Sequence, residues 1–291
     1  MSNIRLIKNK IESIMSTKKI TRTMEMIAIS KMRKAKSRLL SSQPYLTITK
    51  KIFFNIMQAN SKYQHFIFKN RIIIKHVAII VISSNKGLCG NLNNHIFHEV
   101  VNMVHDYNIK NIQCSLYIFG LKGFLFFRNK NLFCKKKYIN LHEEIKHDEL
   151  VDFVNNLLKK YKNTKIDKLF ILNNLLYTTA DKKINILQLL PISTQDLNNH
   201  TNLYYKKWDY LYEPDSVLVI NILLKKYILF QIFQCILENI TCEQSTRMII
   251  MKNATENSTS VIQELNLIYN KTRQFNITQE LIEIISGSSV V

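Results

Sequence analysis

The C-terminal part of the chain carries the clearest hydrophobic pattern and almost no residue that would end a helix. From Asp215 to Val291 there is no proline, and the one glycine is Gly287. At about 1.5 Å per residue, one helix over this stretch would be about 110 Å long. Such a helix projects beyond any compact domain, so its apolar stripe requires a partner. The stripe follows the alternating steps of four and three of a coiled-coil seam: Val261, Leu265, Ile268, Thr272, Phe275, Gln279 and Ile282.

The N-terminal segment shows the same spacing and is the predicted partner. No proline or glycine precedes Pro44, so we predict one helix from Ile4 to about Asn60, with Pro44 as a candidate kink. The alternative is that the two terminal segments are separate amphipathic helices that fold onto a globular core. The predicted N-terminal stripe consists of Ile4, Ile7, Ile11, Ile14, Lys18, Thr21, Glu25, Ala28, Met32, Ala35 and Leu39.

The middle of the chain alternates between short β-branched runs and amphipathic helical segments. This alternation predicts a parallel-type sheet with helices on its faces. Four strands are predicted, at Val77–Ile82, Ser115–Phe119, Lys168–Leu172 and Ile184–Leu189, and two helices, at Leu92–Tyr107 and Glu149–Tyr161. The predicted domains are an N-terminal coiled-coil helix (1–75), an inserted α/β domain (76–192), an aromatic foot or linker (193–214) and a C-terminal coiled-coil helix (215–291).

Composition narrows the class of protein. Hydrophobic residues make up 46% of the chain, which is enough for a packed core. No uninterrupted run of 18 apolar residues occurs, so we expect no membrane-spanning segment, and we expect no signal peptide. The five cysteines include no CxxC pair, which argues against zinc and disulfide frameworks and favours a reducing cytosol. Cys235 and Cys242, seven residues apart, are predicted to be small seam residues.

The positive charge is concentrated in the N-terminal quarter. The formal net charge of the chain is +20, whereas residues 1–75 hold 17 lysines and arginines against two glutamates. Residues 215–291 are close to neutral, with 6 basic and 7 acidic side chains. A basic segment of this kind favours nucleic acid, anionic lipid or an acidic protein surface as a partner, or it forms a solvated helix face.

No pattern of catalytic residues is recognisable. The loop Asn85–Gly90 follows a predicted strand and precedes a helix, yet it matches neither GxGxxG nor GxxxxGK[ST]. The histidines are scattered and form neither HExxH nor a metal-binding set. We therefore predict no catalytic, cofactor-binding or metal-binding residues, and a protein that works by shape and contacts.

Six short motifs occur in order along the chain: Ile20–Ala28, Ser30–Ala35, Gly87–Gly90, Trp208–Asp215, Tyr269–Lys271 and Ile277–Gly287. With these motifs the chain resembles the gamma subunit of the bacterial F-type ATP synthase, and the resemblance covers residues 3 to 291. Small departures occur at Ser288, where the family usually has alanine, and at Asn91, where a second glycine is common.

The resemblance implies an α+β protein in which the N- and C-terminal helices form a long antiparallel coiled coil with an inserted Rossmann-like α/β domain. It implies a non-catalytic rotor shaft that couples proton flow to ATP synthesis on the beta subunits. The implied partners are the alpha, beta and epsilon subunits and the membrane c-ring, with no nucleic acid and no direct membrane insertion. The implied location is peripheral, on the cytoplasmic side of the inner membrane.

The resemblance also implies contact residues for each partner. Met24, Lys31, Arg33 and Lys34 match positions that face an acidic loop of beta. Polar contacts with the surrounding ring of subunits are implied at Arg247, Arg273, Gln274, Thr278 and Glu280, and contacts of the foot with the rotor ring at Tyr210, Tyr212 and Glu213. Each of these residues has an alternative role as part of a solvated surface.

Two other classes of function remain as alternatives. The basic N-terminal segment alone would suit a coiled-coil protein that binds nucleic acid, although no recognised nucleic-acid-binding motif is visible. A nucleotide-binding enzyme in the α/β insertion would require measurable nucleotide affinity of this chain.

Overall fold

The computed structural model describes residues 2–59, 71, 74–130, 134–139, 147–176, 182–192, 213 and 216–288. They form two compact units, residues 1–31 with 246–291, and residues 32–245. The predicted division at residues 75, 192 and 214 stays a prediction. The elements in chain order are α1 Ser2–Ala59, β1 His76–Ile82, α2 Leu92–Ile109, β2 Gln113–Phe119, α3 Leu121–Arg128, β3 Cys134–Ile139, α4 His147–Lys162, β4 Lys168–Leu176, β5 Lys182–Leu190 and α5 Ser216–Ser288.

The terminal segments are two long helices that pack together as an antiparallel coiled coil. Helix α1 spans 58 residues and includes Pro44, and α5 spans 73 residues, so both predicted helices are confirmed. In the first unit the hydroxyl oxygens of Thr21 and Thr255 lie 2.8 Å apart. Every predicted seam position of α1, from Ile4 to Leu39, is buried or half-buried. The alternative of two unpaired helices is therefore wrong for this unit.

The predicted seam of α5 was wrong at several positions. Leu265 and Thr272 are half-buried as predicted, whereas the other five positions are exposed: Val261, Ile268, Phe275, Gln279 and Ile282. The buried side runs instead through the neighbouring positions Ile262, Tyr269 and Asn276. Two stripes with steps of three and four residues can share some positions, here Leu265 and Thr272. The spacing alone therefore does not show which stripe faces α1. The choice of the more apolar stripe was the error.

The second unit contains a five-stranded sheet in the order β3-β2-β1-β4-β5. Strands β1 to β4 are parallel, and β5 is antiparallel to β4. The four predicted strands and the two predicted helices between them are confirmed, with ends that differ by a few residues. The parallel order agrees with the predicted Rossmann-like insertion, and the antiparallel strand lies at one edge.

Helices cover both faces of the sheet. Val77, Ile79 and Val81 pack on one face with the apolar sides of α2 and α3. Ala78, Ile80 and Ile82 pack on the other face with α4 and with the first half of α5. Strand β1 is therefore buried on both sides, as its continuous apolar run predicted. Cys235 and Cys242 are buried, Cys235 in the core formed with the sheet and Cys242 beside Cys89 and Leu92, so their predicted role as seam residues stays a prediction.

Strand β3 and helix α3 were not predicted. Strand β3 has the sequence Cys-Lys-Lys-Lys-Tyr-Ile and forms an edge of the sheet. Lysines on an edge strand hinder pairing with another sheet, and they also remove the apolar alternation by which a strand is recognised. Helix α3 is only eight residues long and contains Gly123, and a glycine inside a helix lowers its propensity and weakens the sequence signal.

Two glycines allow β1 and β2 to approach each other closely at their carboxyl ends. Gly120 has φ +97°, and a Cβ atom there would lie 2.2 Å from the carbonyl oxygen of Ser83. A Cβ atom on Gly123 would lie 2.5 Å from the Ser83 hydroxyl oxygen. In return, the amide of Gly123 donates to the Ser83 hydroxyl at 3.0 Å, and that hydroxyl donates to the Phe119 carbonyl at 2.8 Å. Side chains larger than hydrogen are therefore excluded from this junction.

A partly buried ion pair joins Arg71, which precedes β1, to Asp167, which directly precedes β4. Arg71 forms a charge-assisted hydrogen bond with Asp167 and donates to the carbonyl of Tyr161 at 2.7 Å. Asp167 also accepts hydrogen bonds from the backbone amides of Lys75 and His76, at 2.8 and 2.9 Å. Burial alone would raise the pKa of Asp167, but the hydrogen bonds from Arg71 and the two amides outweigh it and hold the pKa below its ordinary value.

We expect Asp167→Asn to lower the free energy of unfolding at pH 7 by about 2 to 4 kcal/mol, because Arg71 and two amides lose a charged acceptor. A pKa lowered by folding means that this stabilisation is present above the unfolded-state value and is lost as the pH falls through the folded-state value. The difference between the two proteins in chemical denaturation should therefore shrink below about pH 4. Asp106→Asn, at an exposed position of α2, is the control. A constant difference down to pH 3 would contradict the ion-pair interpretation.

The sequence analysis predicted no membrane-spanning segment. By length and composition alone, one helix of the described chain, within Val217–Ser286, is apolar enough to cross a membrane, with a mean hydropathy of 1.5. The first half of this helix packs on the sheet, and core helices of soluble proteins meet the same criterion. The criterion alone therefore does not identify a membrane span, and the expectation of none stays a prediction.

The predicted aromatic foot or linker (193–214) lies outside the described residues, with the exception of Glu213.

Candidate subunit-contact surfaces

Helix α1 presents a basic and partly apolar surface on the side away from its seam. Ala28 and Ala35 are buried, at 1% and 6% exposure, and mark the side that faces inward. Arg33 and Lys34 are exposed. Because 33 and 34 fall between the seam positions 32 and 35, their long side chains point outward and are free to meet an acidic surface.

The other two predicted residues of α1 lie in the first unit. Met24 is exposed, with 37% of its surface accessible, and Lys31 is half-buried. An exposed methionine offers a flexible apolar contact next to charged neighbours. These four residues are spread over about three turns of one helix, which is not the convergent arrangement of a reactive centre.

The predicted contact residues on α5 are also spread along a helix. Arg247 is half-buried, and Arg273, Gln274, Thr278 and Glu280 are exposed. The hydroxyl of Thr278 donates to the carbonyl of Gln274 at 2.9 Å, which is a bond within the helix. The exposed charges of Arg273 and Glu280 are two turns apart, so they present alternating sign to a partner.

Sequence reasoning missed the apolar surface at the end of α5. Because Thr21 lies opposite Thr255 and the helices are antiparallel, the start of α1 lies opposite roughly Gln274, and later residues lack this partner. The side chains beyond that point are therefore uncovered, at 46% to 68% exposure. We call this surface the α5 tip: Phe275, Ile277, Leu281, Ile282, Ile284 and Ile285. The length difference between the two terminal helices was the signal that could have identified it.

Of the predicted foot residues, Glu213 is exposed. Tyr210 and Tyr212 lie outside the described residues. In the sequence, Glu213 precedes Ser216, the first residue of α5, by three residues.

The glycine loop after β1 uses its polar groups internally. The side chain of Asn93 accepts the amide of Ser84 at 3.2 Å and donates to the Ser84 hydroxyl at 2.7 Å. The amide of Leu121 donates to the side chain of Asn85 at 2.9 Å. These bonds close the loop on itself and on α3, which is a structural role and not a phosphate cradle.

The buried titratable groups of the described residues show no catalytic arrangement. Burial raises the pKa of the Cys235 thiol, and the nearby Glu238 carboxylate adds to the effect, so this thiol stays protonated and unreactive. Within the described ranges, no group of three or more histidine, cysteine, aspartate or glutamate side chains could hold a metal ion. The features that stand out are therefore surfaces.

Comparison with known proteins gives a consistent result over the whole length. A family model described as ATP synthase matches residues 3–291. The ATP synthase gamma chain of Buchnera aphidicola subsp. Diuraphis noxia is 44% identical over 293 residues, covering 100% of this chain and 99% of the relative. The ATP synthase gamma chain of Buchnera aphidicola subsp. Baizongia pistaciae is 40% identical over 291 residues, with the same coverage.

Solved structures show the same fold at low sequence identity. The rotor of the Euglena gracilis mitochondrial ATP synthase in rotational state 1 has a chain that matches with a TM-score of 0.64 and 19% identity, covering 95% of this chain and 99% of that chain. The central stalk and c-ring of the Tetrahymena thermophila mitochondrial ATP synthase gives a TM-score of 0.61 and 22% identity, covering 81% and 99%. The likeness in fold thus extends over 81% or more of this chain in both comparisons.

Proposed function

This chain belongs to the ATP synthase gamma-chain family, and we propose that it is the central rotor shaft of an F-type ATP synthase. In this role it is a non-catalytic subunit that couples transmembrane proton flow to ATP synthesis on the beta subunits by rotation. The observation that carries the proposal is the pairing of the two terminal helices in the first unit. Such a pair transmits torque through contacts and requires no reactive group.

The partners are the alpha and beta subunits around the shaft, and the epsilon subunit and the c-ring. The chain is part of a membrane-associated complex. We propose that it lies on the cytoplasmic side of the inner membrane as a peripheral subunit. The alternative of a basic coiled coil that binds nucleic acid is supported only by the N-terminal charge, and the comparisons give it no support.

Met24, Lys31, Arg33 and Lys34 are proposed to contact an acidic loop of the beta subunit. The exposure of Met24, Arg33 and Lys34 and the positive charge of this part of α1 support the assignment. Charge complementarity of this kind sets specificity and register more than total affinity. The same role offers a use for the excess of positive charge in residues 1–75 without nucleic acid.

The part of α5 from Arg247 onward is proposed to contact the ring of alpha and beta subunits. Arg247, Arg273, Gln274, Thr278 and Glu280 would supply polar contacts, and the α5 tip would lie against an apolar surface of the ring. Six exposed apolar side chains on one helix end form a patch that soluble monomers seldom leave open. Tyr210, Tyr212 and Glu213 are proposed to meet the rotor ring at the other end.

The proposal is tested by expressing the tagged chain with alpha and beta subunits of its own organism. We expect all three to co-elute and to hydrolyse ATP. The variant Ile284→Asn should reduce the yield of complex about tenfold, because the tip loses an apolar contact at an interface. Ile109→Asn is the matched control, since both isoleucines are 68% exposed and Ile109 lies at the end of α2. A wild-type chain that elutes alone would overturn the proposed function.

A further inference from the structure

A cleft of about 360 Å³ lies between α4 and the first turns of α5, in the second unit. Three lysines and two asparagines line it together with two leucines, of which Leu224 is buried at 2% exposure. No carboxylate lines the cleft, and Lys159, Lys162 and Lys225 form no ion pair with the described carboxylates. The lining residues are Asn155, Leu158, Lys159, Lys162, Asn221, Leu224 and Lys225.

The chemistry of this cleft fits a phosphate group attached to an apolar chain. Three ammonium groups from two different helices can surround a phosphate, and the leucine floor can take the adjoining hydrocarbon. The cations Lys159 and Lys162 also complement the dipole at the C-terminal end of α4, which is their ordinary structural role. That role does not account for Lys225, which reaches the same cleft from α5.

An exposed apolar surface lies next to the cleft. Val217, Leu218 and Ile222, in the first two turns of α5, are exposed at 39%, 54% and 56%. Leu218 and Ile222 precede Lys225 by seven and three residues, so the three side chains share one side of the helix. Apolar side chains beside lysines are the pattern of a helix that lies at a membrane surface.

We propose that the cleft and the exposed start of α5 together bind the headgroup and upper acyl chain of an anionic phospholipid. Lys159, Lys162 and Lys225 neutralise the phosphate, and Leu218 and Ile222 contact the hydrocarbon. The lipid would come from the membrane that carries the rotor ring. That placement rests on the proposed function, whereas the binding itself is a property of the chain alone.

The test is flotation of the full chain with vesicles of phosphatidylcholine alone and with vesicles of equal parts phosphatidylcholine and phosphatidylglycerol, at physiological ionic strength. The triple variant Lys159→Gln, Lys162→Gln, Lys225→Gln should lose affinity for the anionic vesicles by about 10- to 100-fold. The control Lys8→Gln, Lys10→Gln, Lys19→Gln removes three exposed lysines of α1 and should lose only a few-fold. Equal losses in the two variants would show diffuse attraction of charge and overturn the proposal.

Two further arms separate a lipid from free phosphate. Leu218→Asn with Ile222→Asn should weaken vesicle binding several-fold, and millimolar inorganic phosphate should not displace the vesicles. Displacement by phosphate, together with unchanged vesicle binding of the leucine and isoleucine variant, would identify a phosphate site and overturn the lipid assignment. Co-elution of each variant with alpha and beta subunits shows that it folds. A wild-type chain that binds vesicles and fails to assemble would count against the proposed function and not against the lipid site.

Discussion

Replacing Gly120 by alanine is expected to lower the free energy of unfolding by about 3 to 5 kcal/mol. The residue has φ +97° and ψ 142°, a conformation that is costly for any residue with a Cβ atom. The new methyl group would also lie 2.2 Å from the Ser83 carbonyl oxygen. The Ser83 amide donates a hydrogen bond to the Phe119 carbonyl at 2.8 Å. Moving Ser83 away from the new methyl group would break this bond, which joins the ends of β1 and β2. Chemical denaturation of the full chain measures the loss.

Gly87→Ala is the control for this prediction. Gly87 lies in the same region, and an added Cβ atom would meet only the end of the Lys122 side chain, at 3.9 Å. We expect a change within about 0.5 kcal/mol. Similar losses in both variants would show that glycine content in general, and not the contact with Ser83, determines stability here.

Reversing the charges of Arg33 and Lys34 to glutamate is expected to reduce ATP-driven proton pumping by about tenfold or more, because the new carboxylates would repel the acidic loop of the beta subunit that these two residues are proposed to contact. Both side chains are exposed, so the stability of the free chain should change little. Pumping is measured in membrane vesicles as quenching of a pH-sensitive dye, and the rate of ATP hydrolysis is recorded alongside.

The matched control is Lys122→Glu with Lys165→Glu, which makes the same change in charge at exposed positions outside the two terminal helices. Pumping should remain within about twofold of the wild type, because neither residue is proposed to meet beta. If the control variant pumps as poorly as the α1 variant, the effect follows from net charge and the assignment of Arg33 and Lys34 to the beta contact is wrong.

The seam of α1 could be predicted position by position, whereas the seam of α5 could not. On α1 the polar positions Lys18, Thr21 and Glu25 continue an isoleucine stripe, and there the spacing alone identified the inward side. On α5 two adjacent stripes share Leu265 and Thr272, and the stripe that faces α1 is the more polar one. Hydrophobicity failed as a guide here because part of the apolar surface faces outward.

Other features depend on contacts between residues far apart in the sequence. The Arg71–Asp167 pair joins residues that are 96 positions apart, and neither residue lies in a motif. Strand β3 is recognised by its pairing with β2 and not by its lysine-rich sequence. The predicted contact surfaces were located by resemblance, and the structure adds which of their side chains are exposed.

The unequal lengths of the two terminal helices have a consequence for the chain before it assembles with its partner subunits. In a newly synthesised copy that has not yet assembled, the apolar side chains of the α5 tip are exposed to solvent. Orphaned copies would adhere to one another through these side chains or be removed by proteases. We therefore expect synthesis of this chain in excess of its partner subunits to lead to aggregation or degradation. Coordinated synthesis of the subunits would prevent both.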